Sequence, residues 1–182
     1  MIDRDQFFAK ARANPFGGAM TQSQVGGCNS ILDEWEKQMP TADLRWLAYM
    51  LATAKWETAH TMKPIEEYGH GAGHPYGVPD PVTGQTYYGR GYVQLTWKSN
   101  YQKMQDMLGE PLVTEASLAL DPSIAADVMF KGMEKGTFTG VGLPKYFSAT
   151  ANDPVQARRI INGMDHEEDI AKIHRAFMTA LT

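Results

Sequence analysis

Two glutamates, Glu57 and Glu66, lie nine positions apart on either side of Pro64. On one straight helix, nine steps of about 100° would place their carboxyls on opposite faces, roughly 13.5 Å apart along the axis. Proline lacks the N–H that a helix interior needs and disfavours helical dihedrals at the residue before it, so we expect the helix to end near Met62 and the chain to turn. Glu66 would then face Glu57. Two carboxyls across a cleft can cleave a glycosidic bond, one as an acid and the other as a base or nucleophile.

The surroundings of these glutamates differ along the sequence. Glu57 lies at the margin of an apolar stripe that would bury one face of its helix, and partial burial would raise the pKa of its carboxyl and favour the protonated form of a general acid. The alternative is an ordinary solvated glutamate. Glu66 and Glu67 are adjacent, so their side chains should diverge and only one of them can face the cleft. The sequence leaves open which of the two is the base.

Composition predicts one catalytic domain that spans residues 1–182. The chain is 43% hydrophobic and 21% charged, which suits a globular domain with its own core. A net charge of −4 without a long basic run argues against nucleic acid as a partner. No apolar run approaches the roughly 20 residues of a membrane span, and the first residues lack a signal-peptide pattern. We therefore expect a protein made in the cytoplasm, without stable membrane insertion, and a monomer.

Helix-capping signals recur along the chain and predict a mainly α structure. Asp3 with Gln6 and Thr21 with Gln24 have the spacing of capping boxes, and Asp121-Pro122 combines an N-cap with a proline at the first helical position. Two later segments are less regular, a Gly/Pro-rich stretch over 69–85 that suggests a substrate-binding loop and a glycine-interrupted segment over 86–97 that predicts only a short strand. The predicted helices cover about 3–14, 21–37, 41–62, 100–108, 121–135, 152–163 and 165–181.

Other polar and aromatic residues allow further roles. His70 and His74 have a spacing seen in zinc sites, but they lie in a glycine-rich loop and no further ligand accompanies them, so we predict no metal and no cofactor. The lone Cys28 is interpreted as a small buried residue rather than a nucleophile. Asn162 could cap a helix or bind a sugar through its amide. We expect about half of an aromatic cluster to be core and the rest to stack on sugars; its members are Tyr87, Tyr88, Tyr92, Trp97 and Tyr101.

Four segments together resemble glycoside hydrolase family 19, the chitinase-like family, and especially its short phage endolysin branch. They are Ala54–Thr58, Pro64–Glu66, Tyr87–Tyr101 and Ala157–Gly163, and they occur in the family's order at compatible spacing over nearly the whole chain. The resemblance implies a mainly α, lysozyme-like domain with two lobes, a central cleft and little β structure.

The resemblance also implies roles for individual residues. Glu57 matches the general acid, Glu66 the general base, and Thr96 stands where the family usually has a serine that helps hold the attacking water. The family inverts configuration, which requires carboxyls about 6.5–9.5 Å apart with water between them. Arg159 matches a cleft arginine that could tune the carboxyls. With Arg159 included, the expected substrate-binding residues are Tyr88, Gln94, Asn100, Tyr101, Arg159 and Asn162.

Departures from the family pattern bear on the substrate. Trp56 replaces the usual histidine before the acid, and the disulfide cysteines of secreted chitinases are missing. We expect an endolysin that hydrolyses β-1,4 bonds in the peptidoglycan glycan strand by an inverting two-carboxylate mechanism, accumulates in the host cytoplasm and reaches the cell wall after holin-mediated release. The alternatives are a chitinase of the same fold, a lytic transglycosylase and a non-enzymatic wall-binding module.

Overall fold

The computed structural model describes residues 2–182 and confirms the mainly α fold. Within these residues there are seven α-helices and one antiparallel pair of two-residue strands. Three short 3₁₀ helices lie at Pro75–Gly77, Ala116–Leu120 and Gln156–Ile160. The other elements, in chain order, are α1 (Arg4–Ala13), α2 (Gln22–Gln38), α3 (Leu44–Glu57), β1 (Ile65–Glu66), β2 (Arg90–Gly91), α4 (Lys98–Leu108), α5 (Pro122–Lys135), α6 (Leu143–Tyr146) and α7 (Glu167–Leu181).

Several helices begin at the predicted caps. Asp3 accepts a hydrogen bond from the Gln6 backbone N–H, and Thr21 and Gln24 form a reciprocal capping box. The Asp121 carboxylate accepts from two backbone N–H groups at the start of α5. Each cap satisfies donors that have no partner within the helix, which is why a short local pattern is enough to locate these helix starts.

Helix α3 runs through the centre of the core. All residues from Leu47 to Lys55 are buried, and the helix packs against α7. On either side, α1 packs against α7 and α2 packs against α5. Glu57 is the last residue of α3, so its backbone position is set by a buried helix.

The end of α3 differs from the prediction, because the helix ends at Glu57 and not near Met62. The Thr58 hydroxyl donates to the Ala54 carbonyl and accepts from the Met62 N–H, which closes a tight turn ahead of Pro64. Ala59, His60 and Met62 adopt positive φ angles in this turn. The chain therefore leaves the helix through a side-chain cap, and proline is not the residue that ends it.

Three other boundaries also differ. Asp43, not Thr41, caps the start of α3 through the Arg45 N–H. The segment predicted as a helix over 152–163 forms only the 3₁₀ helix Gln156–Ile160, and α7 begins after His166 without a side-chain cap.

A close backbone contact holds the turn after α3 against α2. A Cβ atom built on Gly27 would lie 1.7 Å from the carbonyl oxygen of Met62, so only glycine fits there. Directly after this contact, β1 pairs with β2, with Ile65 opposite Gly91 and Glu66 opposite Arg90.

Hydrogen bonds order the Gly/Pro-rich segment over 69–85. The Asp80 carboxylate accepts from the backbone N–H groups of Val82 and Thr83 and from the Lys98 ammonium. The bond from Lys98, followed by those from Thr83 and Val82, lowers the pKa of Asp80 to about 2. Elsewhere, no helix within residues 2–182 has the length and apolar character that crossing a membrane requires.

Candidate active site

Glu57 is held by a buried arginine. Its side chain is 16% exposed, and its Oε1 accepts a 2.6 Å hydrogen bond from Nη1 of Arg158, which is 3% exposed. Arg158 also donates from Nε to the Asp165 backbone and side-chain oxygens, both at 3.1 Å. Burial alone would lower the pKa of Arg158, but the Glu57 and Asp165 carboxylates outweigh it and raise that pKa. One buried cation therefore joins two carboxylates and orients Glu57.

The arginine beside Glu57 is Arg158, whereas the sequence pointed to Arg159. Arg159 is exposed, and its Nε donates to the side chain of Gln156. Both residues lie in the 3₁₀ helix Gln156–Ile160, where each residue advances by about 120°, so adjacent side chains point in different directions.

Glu66 is the second residue of β1, and its carboxylate lies close to Tyr88 and Arg90. Its Oε1 accepts a 2.7 Å hydrogen bond from the Tyr88 hydroxyl and lies 3.6 Å from Nε of Arg90, while its Oε2 lies 3.6 Å from Nε2 of His70. The Arg90 guanidinium stacks on the Tyr88 ring, with its central carbon 3.7 Å from the ring centroid.

Glu67 has different partners from Glu66. Its Oε2 accepts a 2.9 Å hydrogen bond from the Gly89 N–H, and its Oε1 accepts one at 3.3 Å from the Tyr76 hydroxyl. Gly89 in turn faces Gln94 and Thr96, because a Cβ built on it would lie 2.9 Å from Gln94 Oε1 and 3.3 Å from Thr96 Oγ1.

These contacts place the two adjacent carboxylates in different surroundings. Glu66 contacts Tyr88 and Arg90, while Glu67, the residue after β1, contacts Gly89. Both Glu66 and Glu67 line the cavity beside Glu57, so the choice between them as the second carboxylate stays open.

Two connected cavities surround these carboxylates. The central cavity, of about 340 Å³, is lined by Glu57, Tyr76, Val93, Gln94, Leu95, Thr96, Trp97, Asn100, Phe138, Ile161 and Asn162. The carboxylate cavity, of about 390 Å³, is lined by Trp56, Glu57, Ala59, Ile65, Glu66, Glu67, Tyr68 and Gln94. Glu57 and Gln94 line both, so the two cavities meet at Glu57.

Four predicted residues join Glu57 at the central cavity: Gln94, Thr96, Asn100 and Asn162. The Thr96 hydroxyl donates to the Gln94 carbonyl at 2.8 Å, and the Asn100 amide donates to the Thr96 carbonyl at 3.0 Å. Because the hydroxyl proton of Thr96 is already used, its oxygen can accept a hydrogen bond from water. Asn162 is exposed, and its Oδ1 accepts from the Gly163 N–H.

Two predicted sugar-binding residues are not at the cavities. Tyr101 is fully buried, and its hydroxyl donates to the Tyr88 carbonyl and accepts from Arg90 Nη1. Burial raises the pKa of Tyr101 to about 12. Tyr88 is 9% exposed, and burial, followed by its hydrogen bond to Glu66, raises its pKa. Both tyrosines contact Arg90, Tyr101 through its hydroxyl and Tyr88 through its ring.

Trp97, a member of the aromatic cluster expected to stack in part on sugars, also lines the central cavity. Tyr76, Phe138 and Ile161 line it as well, although the sequence did not single them out for it. The prediction of a substrate-binding loop over 69–85 includes Tyr76 without naming it. Phe138 and Ile161 carry no local signal, because only the tertiary fold brings them to the cavity.

The two loop histidines pack on tyrosines. His70 stacks on Tyr88 at 5.0 Å and His74 on Tyr76 at 4.9 Å between ring centroids. In the part of the chain that the structure describes, His, Cys, Asp and Glu side chains form no group of three that could hold a metal ion.

The fold and the arrangement of its elements are those of the lysozyme-like helical class. No protein-family model matches the sequence, and neither does any curated protein. Solved structures do match, and they narrow the fold to that of family 19 chitinases.

Chitinase C from Streptomyces griseus HUT6037 is 23% identical, with a TM-score of 0.60 over 99% of this chain and 92% of that one. A second bacterial family 19 chitinase is 21% identical, with a TM-score of 0.59 over 98% of this chain and 94% of that one. A mutant of chitinase C is 20% identical, with a TM-score of 0.53 over 93% and 76%.

Proposed function

We propose that the chain is a glycoside hydrolase that cleaves β-1,4 bonds of a glycan strand by inversion. Glu57 protonates the leaving oxygen, and Glu67 deprotonates the attacking water. The observation that carries this proposal is that Glu57 and Glu67 line one cavity while each is held by its own set of donors. Glu66 lines that cavity as well, and Glu67 is proposed over it because the Gly89 whose N–H it binds lies next to Gln94 and Thr96. A binding module would not need two separately oriented carboxylates at one point of its groove.

The contacts of Glu57 leave one of its two carboxyl oxygens for the reaction. Arg158 donates to Oε1, and none of the described residues donates a hydrogen bond to Oε2. Oε2 is therefore the oxygen that can carry the proton and pass it to the glycosidic oxygen. Arg158 then pairs with the carboxylate that remains after the transfer, as a buried cation next to a developing negative charge should.

The contacts of Glu67 suit the role of a base. A carboxylate offers about four acceptor positions, and the Gly89 N–H and Tyr76 hydroxyl use two of them. The remaining positions can accept a proton from water. Thr96, on the same side of Gly89, can accept the second hydrogen of that water and so orient its lone pair toward the sugar. Inversion requires room for this water between the two carboxyls.

We propose the peptidoglycan glycan strand as the substrate and host-cell lysis as the role. Support comes from the motifs that resemble phage endolysins, including Trp56 in place of the usual histidine. Chitin is the second candidate, because the structural neighbours are chitinases. Digestion of purified peptidoglycan and of chitin oligomers, with mass spectrometry of the products, separates the two. A hydrated reducing end indicates hydrolysis, whereas an anhydro-muramic end would indicate a transglycosylase.

Three isosteric variants test the catalytic assignment. Glu57→Gln and Glu67→Gln should each lower the turnover of the best substrate by about a thousandfold, the usual scale of a lost general acid or base. Glu66→Gln is the matched control and should stay within about threefold of the wild-type rate. Circular dichroism should show that all three variants fold.

The same variants can contradict the proposal at two levels. Full activity of Glu57→Gln would remove the hydrolase mechanism altogether. An inactive Glu66→Gln beside an active Glu67→Gln would keep the hydrolase and reverse the assignment of the base.

A further inference from the structure

We propose that Lys55 and His60 position the turn between the proposed acid and the proposed base, and that a proton taken up by His60 releases this turn. This inference rests on the proposed function, because it names a pH-dependent control of the same site. The turn comprises residues 58–62 and is here called the connecting turn. It follows Glu57 directly and leads to β1.

The connecting turn has a backbone conformation that needs support. Ala59, His60 and Met62 adopt φ angles of +49°, +66° and +57°. Residues with a Cβ atom seldom adopt such angles, and a turn that contains three of them persists only where surrounding contacts hold it. The conformation of this turn therefore depends on the contacts of its side chains and backbone groups.

A buried lysine contacts the turn from inside the fold. Lys55 lies in the last turn of α3 and is 8% exposed, and its Nζ lies 3.0 Å from Nδ1 of His60. The Phe16 ring is also near, with its centroid 5.4 Å from Nζ. A buried ammonium group is costly unless it is hydrogen-bonded, and His60 provides the acceptor.

This contact requires a neutral histidine. An ammonium group can only donate, so Nδ1 of His60 accepts and the ring carries its proton on Nε2. A second proton would have to bind to Nδ1, where it would face the Lys55 ammonium. The hydrogen bond would be lost and two positive charges would repel each other, so the protonated ring has to move away. Burial, followed by the charge of Lys55, accordingly lowers the pKa of His60.

The other groups around His60 do not compensate for a second proton. From α2, the neutral Gln24 amide donates to the His60 carbonyl at 2.9 Å. The Trp56 ring meets His60 edge to face, with 5.7 Å between centroids. His166, ahead of α7, contacts the same Trp56 ring at 4.8 Å, and its Nδ1 lies 3.5 Å from the Asp169 carboxylate. That carboxylate therefore already has a histidine partner.

Release of the connecting turn would affect both proposed catalytic residues. Trp56 and Ala59, on either side of the start of the turn, line the carboxylate cavity together with Glu57. The other end of the turn leads to β1, and Glu67 is the residue after β1. A displaced turn therefore changes the separation between the two carboxylates. Because inversion needs room for one water between them, this change lowers turnover.

The direction of the pH effect follows from the two states of the turn. His60 binds a proton less readily in the held turn than in the released turn, where a histidine has its ordinary pKa of about 6.5. Falling pH therefore favours the released turn, beginning near the ordinary pKa, and rising pH restores the held turn. We expect a loss of activity toward low pH that belongs to His60, here called the acid limb.

His60→Asn tests the acid limb directly. Asparagine tolerates a positive φ, and its Oδ1 can accept from Lys55, but it takes up no proton. At about pH 7.5, kcat/KM of the variant should stay within about threefold of the wild type, whereas at about pH 5 the wild type should have lost about fivefold relative to the variant. This ratio cancels the titration of groups that the two proteins share. Circular dichroism at each pH should show that both stay folded.

His166→Asn is the matched control. His166 is also a histidine with a positive φ, of +56°, and it contacts the same tryptophan, but its ring nitrogen lies beside Asp169 instead of a lysine. This variant should keep the acid limb of the wild type.

Lys55→Met tests the partner of His60. Methionine keeps the apolar length of the side chain and removes its charge, so the pKa of His60, measured by NMR of its ring protons, should rise. Turnover should fall at neutral pH, because the turn loses its contact. The free energy of unfolding, measured with urea, should not fall, since no buried charge is left unpaired. A purely structural lysine would lower turnover and stability together.

Three outcomes would overturn the proposal: an unchanged acid limb in His60→Asn, an equal loss of that limb in His166→Asn, or a His60 pKa that does not respond to Lys55→Met. A failure of the proposed function is different, since the wild type would then cleave no glycan at any pH. In that case, the backbone amide NMR shifts of residues 58–62 still test the switch. They should move between about pH 7 and pH 5 in the wild type and stay in place in His60→Asn.

Discussion

Glu57 and Glu67 occupy neighbouring positions in the site, but the protein holds them by different means. Glu57 ends a buried helix and pairs with an arginine that is 3% exposed. Glu67 follows a two-residue strand and is held by one backbone N–H and one tyrosine hydroxyl, the latter from a glycine-rich loop.

The difference shows which part of the fold holds each carboxylate in position. A buried helix unfolds only when much of the protein unfolds, whereas a loop with few buried contacts can unfold locally at a low free-energy cost. Glu57, the proposed acid, should therefore lose its position only when the whole protein is destabilised. The position of Glu67, the proposed base, should change when a single hydrogen bond is removed or substrate binds, while the fold stays intact.

The largest expected effect concerns the acid side. Arg158→Ala leaves the partly buried Glu57 carboxylate and that of Asp165 without their cation, and should reduce the free energy of unfolding by about 4 kcal/mol. Urea denaturation measures this loss, and activity should fall with it. Arg159→Ala is the control and should change stability by less than about 0.5 kcal/mol, as expected for an exposed residue. Equal effects of the two variants would contradict the role of Arg158.

The second prediction concerns the pH dependence of the helical core. His174 on α7 is 3% exposed between Tyr49 and Phe147, and burial lowers its pKa to about 4. The unfolded chain, with a histidine pKa of about 6.5, takes up a proton that the folded chain does not. Stability should therefore fall as the pH drops from about 6.5 to about 4, by about 3 kcal/mol in total from this residue.

Urea denaturation across this pH range, with His174→Leu beside the wild type, measures the contribution of His174. The variant should show a shallower loss of stability toward low pH, since the groups that titrate elsewhere are common to both proteins. Parallel curves for the two proteins would show that His174 does not set the acid sensitivity of the core.

The smallest expected effect concerns the base side. Tyr76→Phe removes one of the two donors to Glu67 and should lower kcat about tenfold, with a change in stability of about 1 kcal/mol or less. Tyr88→Phe is its counterpart, because it removes the corresponding donor to Glu66, and it should change kcat by no more than about twofold. Steady-state kinetics on one glycan substrate measures both. The reverse order would favour Glu66 as the base.

Much of the fold could be predicted because its signals are local. The caps at Asp3, Thr21 and Asp121 involve residues within three positions of one another, and each begins a helix as predicted. The end of α3 could not be predicted in the same way. Its turn depends on the Thr58 hydroxyl and on a contact with the distant Gly27, and neither is visible as a periodic pattern.

The candidate site was predictable in type and less so in detail. Glu57, Thr96 and Asn100 belong to short continuous motifs, and all three line the central cavity. The choice between Glu66 and Glu67 stays open, because both line the cavity beside Glu57, and the arginine that contacts Glu57 is Arg158 rather than its neighbour Arg159. Which of two adjacent side chains points into the site depends on the local backbone geometry. Strand pairing and tertiary packing set that geometry, and the composition of the segment does not.

The contact between Gly27 and the Met62 carbonyl has a consequence for the chemistry. The backbone that leads to β1 can lie where it does only because α2 presents bare main chain at that point. The distance between the two carboxylates thus depends on Gly27, which has no side chain and lies on a helix that carries neither of the two glutamates. A single methyl group there would push the second acid out of place and leave every catalytic residue unchanged.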